Sequence, residues 1–381
     1  MTAATIPSLP RRALLGAPVA LAAGRAVAQA GAQGGWPRRV RDLLGREVTV
    51  TAPPRAVLLG EGFQLLNLGL ILPDPVSIVV GMGGELAQVN PAGEATYQRR
   101  FPALERIPRL TAAVGQGFPA ERALALRPDL VILSTWQANL PEMRRAVELL
   151  EGTGVPVVYM DIFQQPGRNT LPSIRLLGAV LGAEERAEAY ARFYEERRDR
   201  IARRVAEAGG QGPRVLLAAF PGRWPCCWSP GASGGDGEFL AMLGARNVAE
   251  GLTGNPRGGS IAMERVLLSE AEVFIGTGLY APGDAAGIQV GPGAPAEVAR
   301  ASLERVLRAP EFSALPAARS RRALGMWNYF NALAANIVQL EAMARAIRPE
   351  LFADLDPAAT LATINRDFSA VPYEGTFWTE L

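Results

Sequence analysis

The sequence has 381 residues and contains neither histidine nor lysine, so all 39 of its basic residues are arginine. Without histidine there is no imidazole base at neutral pH, which excludes a Ser-His-Asp triad and a His-ligated zinc site. Lacking lysine, the chain has no Schiff-base amine. For the same reason the glycine pairs of GMGG (81–84) and SGGDG (233–237) cannot end as a Gly-Lys-Ser/Thr phosphate loop. Asp161 and Asp236 are candidate acids, yet neither has an evident partner for paired-carboxylate chemistry, and the chain reads as a binder with no cofactor rather than an enzyme. Cysteine occurs only as Cys226 and Cys227, adjacent in WPCCWSPG (224–231).

What is present begins with an export pattern. SLPRRALLGAPVALAAGRAVAQAG carries paired Arg11 and Arg12, an apolar run from Ala13 to Ala23, and Ala28-Gln29-Ala30 as an A-x-A cleavage site. The arginine pair suggests the twin-arginine route, while Pro10 before it and the lack of a following Phe leave Sec export open. The run is too short to span a bilayer, and no other stretch of 18 apolar residues exists. Cleavage near Ala30 would remove three arginines and no acid, taking the net charge from +2 to −1. A near-neutral mature chain in the periplasm argues against a nucleic-acid partner.

With 49% hydrophobic and 20% charged residues the composition is that of an ordinary globular protein, and the length suggests two cores. RVRDLLGREVTV (39–50) reads as a hairpin around Gly45. FPAERALALRPDLVILST predicts a helix of about eight residues, a Pro-Asp turn, and a strand from Leu130 to Leu133 buried on both faces. GTGVPVVYMDI supplies another strand, so the fold class is α/β with mainly parallel sheets. PAERALALRPDLVIL (119–133) matches AMERVLLSEAEVFIG (262–276) without a gap, pairing Glu121-Arg122 with Glu264-Arg265 and Leu124 with Leu267. Two related lobes follow: 31–182 and 209–381, after a leader of 1–30 and joined by a helix over 183–208. In that helix Glu188–Arg192, Glu196–Arg200 and Asp199–Arg203 stand at i, i+4 and predict acid-before-base pairs.

These segments resemble the type III periplasmic solute-binding proteins of ABC importers, which serve ferric siderophores, haem and cobalamin. The resemblance rests on VRDLLGREVTVTAPPRAVLLG, AERALALRPDLVILS, GTGVPVVYMDI, the inter-lobe helix, and LAMLGARNVAEG followed by SIAMERVLL, and it covers nearly all of the mature chain. It implies two α/β lobes bridged by one long helix, a ligand cleft between them with little hinge motion, and delivery of solute to a two-fold inner-membrane permease; a docking surface on both lobes favours a monomer. It also implies that one acid on each lobe docks onto permease arginines, and the matching motifs place these at Glu121 and Glu264.

Loops leaving the strand ends would meet the ligand. They carry Tyr97, Arg99, Arg100, Trp136 and Phe163 from the first lobe, and Arg223, Trp224, Cys226, Cys227, Trp228, Tyr280, Trp327 and Tyr329 from the second. Aromatic walls with arginines suit an acidic metal chelate, with a ferric siderophore preferred. Cobalamin or haem is the alternative, as is a ligand-sensing domain of the same fold. For the adjacent cysteines an oxidising compartment favours a vicinal disulfide stiffening the cleft-mouth loop, although adjacent Cα atoms across a trans peptide stand only about 3.8 Å apart. Two unbonded thiols, or thiolate coordination of a soft metal, are the other readings.

Overall fold

The computed structural model describes residues 35–112 and 115–381; the export pattern at 1–30 lies outside them. Two sheets form the cores. In the first lobe the strands run in the order Val79–Gly81, Val57–Leu59, Leu130–Ser134 and Val157–Met160, all parallel. In the second the order is Arg246–Asn247, Arg214–Ala218, Val273–Gly278 and Ala323–Trp327, again parallel, with Trp378–Glu380 added antiparallel at the edge. Each lobe therefore winds the same way: its first strand is flanked by the second and third, and the fourth lies outside the third. Both central strands, 130–134 and 273–278, are buried along their whole length, which is why their sequences are apolar without alternation. The early hairpin pairs Arg38–Arg41 with Glu47–Val50 and rests on the first lobe, where Leu43 N–H donates to Tyr159 C=O at 2.9 Å.

The internal match extends to the backbone. Short helices Ala120–Ala125 and Met263–Leu268 precede the two central strands. Each is followed by a non-glycine residue in the left-handed region, Arg127 and Glu270, both at φ 48°. That conformation costs an L-residue about 1–2 kcal/mol, and it ends the first helix after six residues rather than about eight. The acid two positions on then holds the neighbouring strand: Asp129 accepts from the N–H groups of Arg55 and Ala56, and Glu272 accepts from that of Arg214.

A 25-residue helix, Glu184–Ala208, links the lobes and buries Tyr190, Tyr194 and Ile201. At 1.5 Å per residue it is roughly 37 Å long. Gly178 of the preceding helix, Pro166–Leu181, allows close approach, since a Cβ there would collide with Ala187. Tyr190 donates its hydroxyl to Ala334 C=O at 2.9 Å and Tyr194 donates to Asn336 Oδ1 at 2.8 Å, while Asn336 Nδ2 reaches Thr170 Oγ1 at 3.0 Å. The predicted i, i+4 ion pairs are not what forms. Glu188 pairs with Arg175 at 2.8 Å, Arg200 with Glu341 at 3.4 Å, and Asp199 with Arg198 at 2.7 Å. Tertiary neighbours capture Glu188 and Arg200, which an isolated helix would pair along its own face, while Asp199 turns to the adjacent Arg198.

Replacing Tyr194 with Phe leaves Asn336 Oδ1 buried without its donor and should lower the unfolding free energy by about 1–3 kcal/mol. Urea denaturation of the ligand-free protein measures it; an unchanged midpoint would mean that this bond does not help join helix and second lobe.

Candidate functional site

Between the lobes lies a cavity of about 430 Å3, lined by Phe163 and Gln164 from the first lobe and otherwise by the second. Asp161, directly after the strand Val157–Met160, organises the first-lobe loop: its carboxylate accepts from Gln164 N–H at 2.8 Å, Gln165 N–H at 3.2 Å and Asn169 Nδ2 at 2.7 Å. This fixes Phe163 at the cavity wall and gives Asp161 a structural role in place of the acid role considered for it. Gly235 N–H then donates to Gln164 C=O at 2.9 Å, joining the two lobes at the cavity.

On the second lobe Phe220 adopts φ 47° and its N–H donates to Thr277 Oγ1 at 3.2 Å. Its ring meets that of Trp224 at 4.5 Å. Trp228 opens the strand Trp228–Pro230, paired antiparallel with Gly258–Ser260. Phe163, Trp224 and Trp228 are 45%, 48% and 38% exposed; they are the only aromatic rings among the large hydrophobic residues left exposed in the described chain, and all three line this cavity. Large exposed rings gathered around one concavity make it the candidate binding surface.

The polar lining is sparse. Asp236, 4% exposed, accepts from Gln339 Nε2 at 2.7 Å. Burial pushes its carboxyl up to about 7, the Gln339 bond only partly opposing this. The loop before it is tightly folded, because a Cβ at Gly237 would strike Gly231 C=O. Asn328, Asn331 and Thr277 supply neutral groups, and Arg257 is the one cation on the lining. In the first lobe Glu61 is also pushed up to about 7, by burial and then by the neighbouring Glu85, against hydrogen bonds from Ser134 and Trp136.

Several residues expected at the cleft lie elsewhere. Trp327 is fully buried, edge-on to Phe330 and Phe377, and belongs to the second-lobe core. Tyr97 and Arg99 line a separate cavity of about 240 Å3, and Arg100 lies exposed over the Phe101 ring. Arg223 is held by Asp284 at 2.6 Å and by Ala286 C=O at 3.3 Å. Trp136 turns to Glu61. Tyr329 stacks on Phe63 of the first lobe at 5.0 Å, and Tyr280 is partly exposed, but neither lines the cavity. Cys226 and Cys227 do not line the cavity; they are bonded sulfur to sulfur, their peptide cis rather than trans and their Cα atoms 3.0 Å apart. Glu121 and Glu264 are exposed in the first turns of the matched helices, without ion pairs among the described residues. Asn328, Asn331 and Arg257 had no motif to announce them; the glycines around Asp236 were the one available signal.

Two similarly wound lobes, a bridging helix and an aromatic cavity at their junction define a solute-binding protein. Residues 88–326 match the periplasmic binding protein family, and the chain belongs to it. The TroA-like periplasmic binding protein FepB from Veillonella parvula has the same fold, with a TM-score of 0.79 at 23% identity over 91% of this chain and 100% of that one. MolA of Haemophilus influenzae, solved with molybdate, superposes with a TM-score of 0.63 at 17% identity, covering 89% and 99% of the two chains. In sequence the chain is 27% identical over 174 residues to the vitamin B12-binding protein of Pectobacterium carotovorum subsp. carotovorum (strain PC1), a match spanning 45% of this chain and 57% of that protein. The family captures solutes for transport and does not transform them. No helix among the described residues is long and apolar enough to cross a membrane.

Asp236 binds its proton more tightly folded than unfolded, where an aspartate titrates at about 3.9. Its contribution is fully present below about pH 4 and is lost as the pH rises through about 7. Asp236→Asn should therefore gain stability relative to the wild type between pH 4 and pH 8, as measured by urea denaturation; parallel pH profiles would remove Asp236 as a buried neutral acid.

Proposed function

We propose that the protein is the periplasmic solute-binding component of an ABC importer and that its solute is a bulky metal chelate gripped by ring contact, with a corrinoid of the cobalamin class favoured. The carrying observation is the set of exposed rings, Phe163, Trp224 and Trp228, around a cavity with a single lining cation. A polyanionic ferric siderophore would call for several free guanidinium groups. Arg223 is committed to Asp284, and Arg99 and Arg100 lie away from the cavity. A corrinoid instead offers a broad apolar face to the rings and neutral amides to Gln164, Asn328 and Asn331. The sequence match to a vitamin B12-binding protein supports the same choice. Arg257 favours, as a second reading, a ferric chelate of low charge, such as a hydroxamate. The Cys226–Cys227 bond is read as stiffening the loop that presents both tryptophans.

Delivery would use Glu121 and Glu264. Equivalent helices carry equivalent unpaired acids, the arrangement that a two-fold symmetric permease with matching arginines would select.

Titration of the cleaved protein with cyanocobalamin, ferric hydroxamate, ferric catecholate and haem, followed by tryptophan quenching, should show saturation by cyanocobalamin. Trp224→Ala and Trp228→Ala should each weaken it about 30-fold, the loss of an anchor worth about 2 kcal/mol. Saturation by the catecholate alone would overturn the corrinoid reading. In cells, Glu121→Ala combined with Glu264→Ala should reduce uptake about tenfold or more while solute affinity in vitro stays unchanged; normal uptake would exclude these acids from docking.

A further inference from the structure

The polar groups of the cavity differ in depth and in satisfaction. Arg257 is exposed at the rim, whereas Asp236 and Asn331 are 4% and 7% exposed. Asp236 has one oxygen occupied by Gln339 and no protein partner for the other, and no guanidinium pairs with it. The Asn331 Oδ1 is buried without a donor among the described residues. Buried polar groups are almost always satisfied, so a floor with this much unused capacity points to a ligand that completes it.

The chemistry of the two groups narrows that ligand. The free oxygen of Asp236 gives an O–H while the acid is neutral and accepts an N–H once it ionises, and the carboxamide of Asn331 can both give and receive. A primary amide carries a carbonyl and two N–H groups, enough to meet Asp236 in either form and Asn331 on either side. A carboxylate in its place brings no N–H and adds an anionic charge to a buried pair that has no counter-charge. A lone ammonium satisfies Asp236 but offers nothing to the donor side of Asn331.

We infer that Asp236 and Asn331 form a primary-carboxamide subsite at the floor of the aromatic cavity, which orients the solute amide-first and rejects the corresponding acid. The inference rests on the reading that this cavity is the solute site, and it assigns the selectivity to two residues that lie beneath the rings.

The test uses small probes carrying one flat ring system and one head group, 1-naphthamide and 1-naphthoate, titrated by calorimetry into the full mature protein near neutral pH. Wild-type protein should bind the amide at least about tenfold more tightly than the acid, as expected when a buried group built to pair is left facing the wrong partner. Asp236→Ala and Asn331→Ala should each bring the ratio close to one. Equal affinities in the wild type, failure of both probes to bind at millimolar concentration, or a ratio unchanged in both variants would overturn the subsite. The cyanocobalamin titration is independent. If amide selectivity holds and cyanocobalamin does not bind, the subsite stands and the corrinoid reading falls; if cyanocobalamin binds without amide selectivity, the reverse follows.

Discussion

The structure depends on buried polar clasps that fix one lobe against the other. Asn67 of the first lobe, 1% exposed, donates to Ala332 C=O at 3.1 Å and accepts from Ala334 N–H at 2.8 Å in the second. Tyr190 reaches Ala334 from the long helix, and Tyr194 closes on Asn336, which is in turn bonded to Thr170. A short segment, residues 332–336, is thus gripped by the first lobe and the bridging helix together. Each of these groups is too deeply buried to exchange its partner for water, so sliding one lobe over the other would break several bonds at once. The cavity inherits its shape from that constraint.

Much of this architecture was legible in the sequence because it repeats. Unbroken apolar runs marked the central strands, and the match between residues 119–133 and 262–276 exposed the duplicated helix-turn-strand unit, which the structure extends to the strand-holding acids Asp129 and Glu272. The long helix, expected over 183–208, spans Glu184–Ala208. Its charge pairs were misread, since Arg175 and Glu341 lie far along the chain from the residues they hold. Local spacing describes an isolated helix, not the charges brought to it by folding.

The site was harder to read, for a related reason. Trp224 and Trp327 both sit in loops or strand ends rich in aromatics, yet one is half exposed on the cavity and the other is sealed between Phe330 and Phe377. Nothing in composition separates a ring at a wall from a ring in a core: Trp327 ends a strand whose next residue, Asn328, lines the cavity, yet its own ring packs into the second-lobe core. The same holds for arginine, where Asp284 claims Arg223 from 61 positions away. Family resemblance carried the fold further than it carried the cleft, whose lining is assembled from loops that share no motif.

One consequence lies in the unequal ownership of the cavity. The lobes are wound alike, yet Phe163 and Gln164 are the first lobe's whole contribution to the lining, and Trp224, Trp228, Asp236 and Asn331 all belong to the second. Symmetry on the outside encloses a strongly one-sided interior. A cargo held in this way would have a keeper and a lid: if the lobes part, the first withdraws two side chains and the second retains the rest. Hand-off would then have a direction, with the cargo's last contacts before departure on the second lobe.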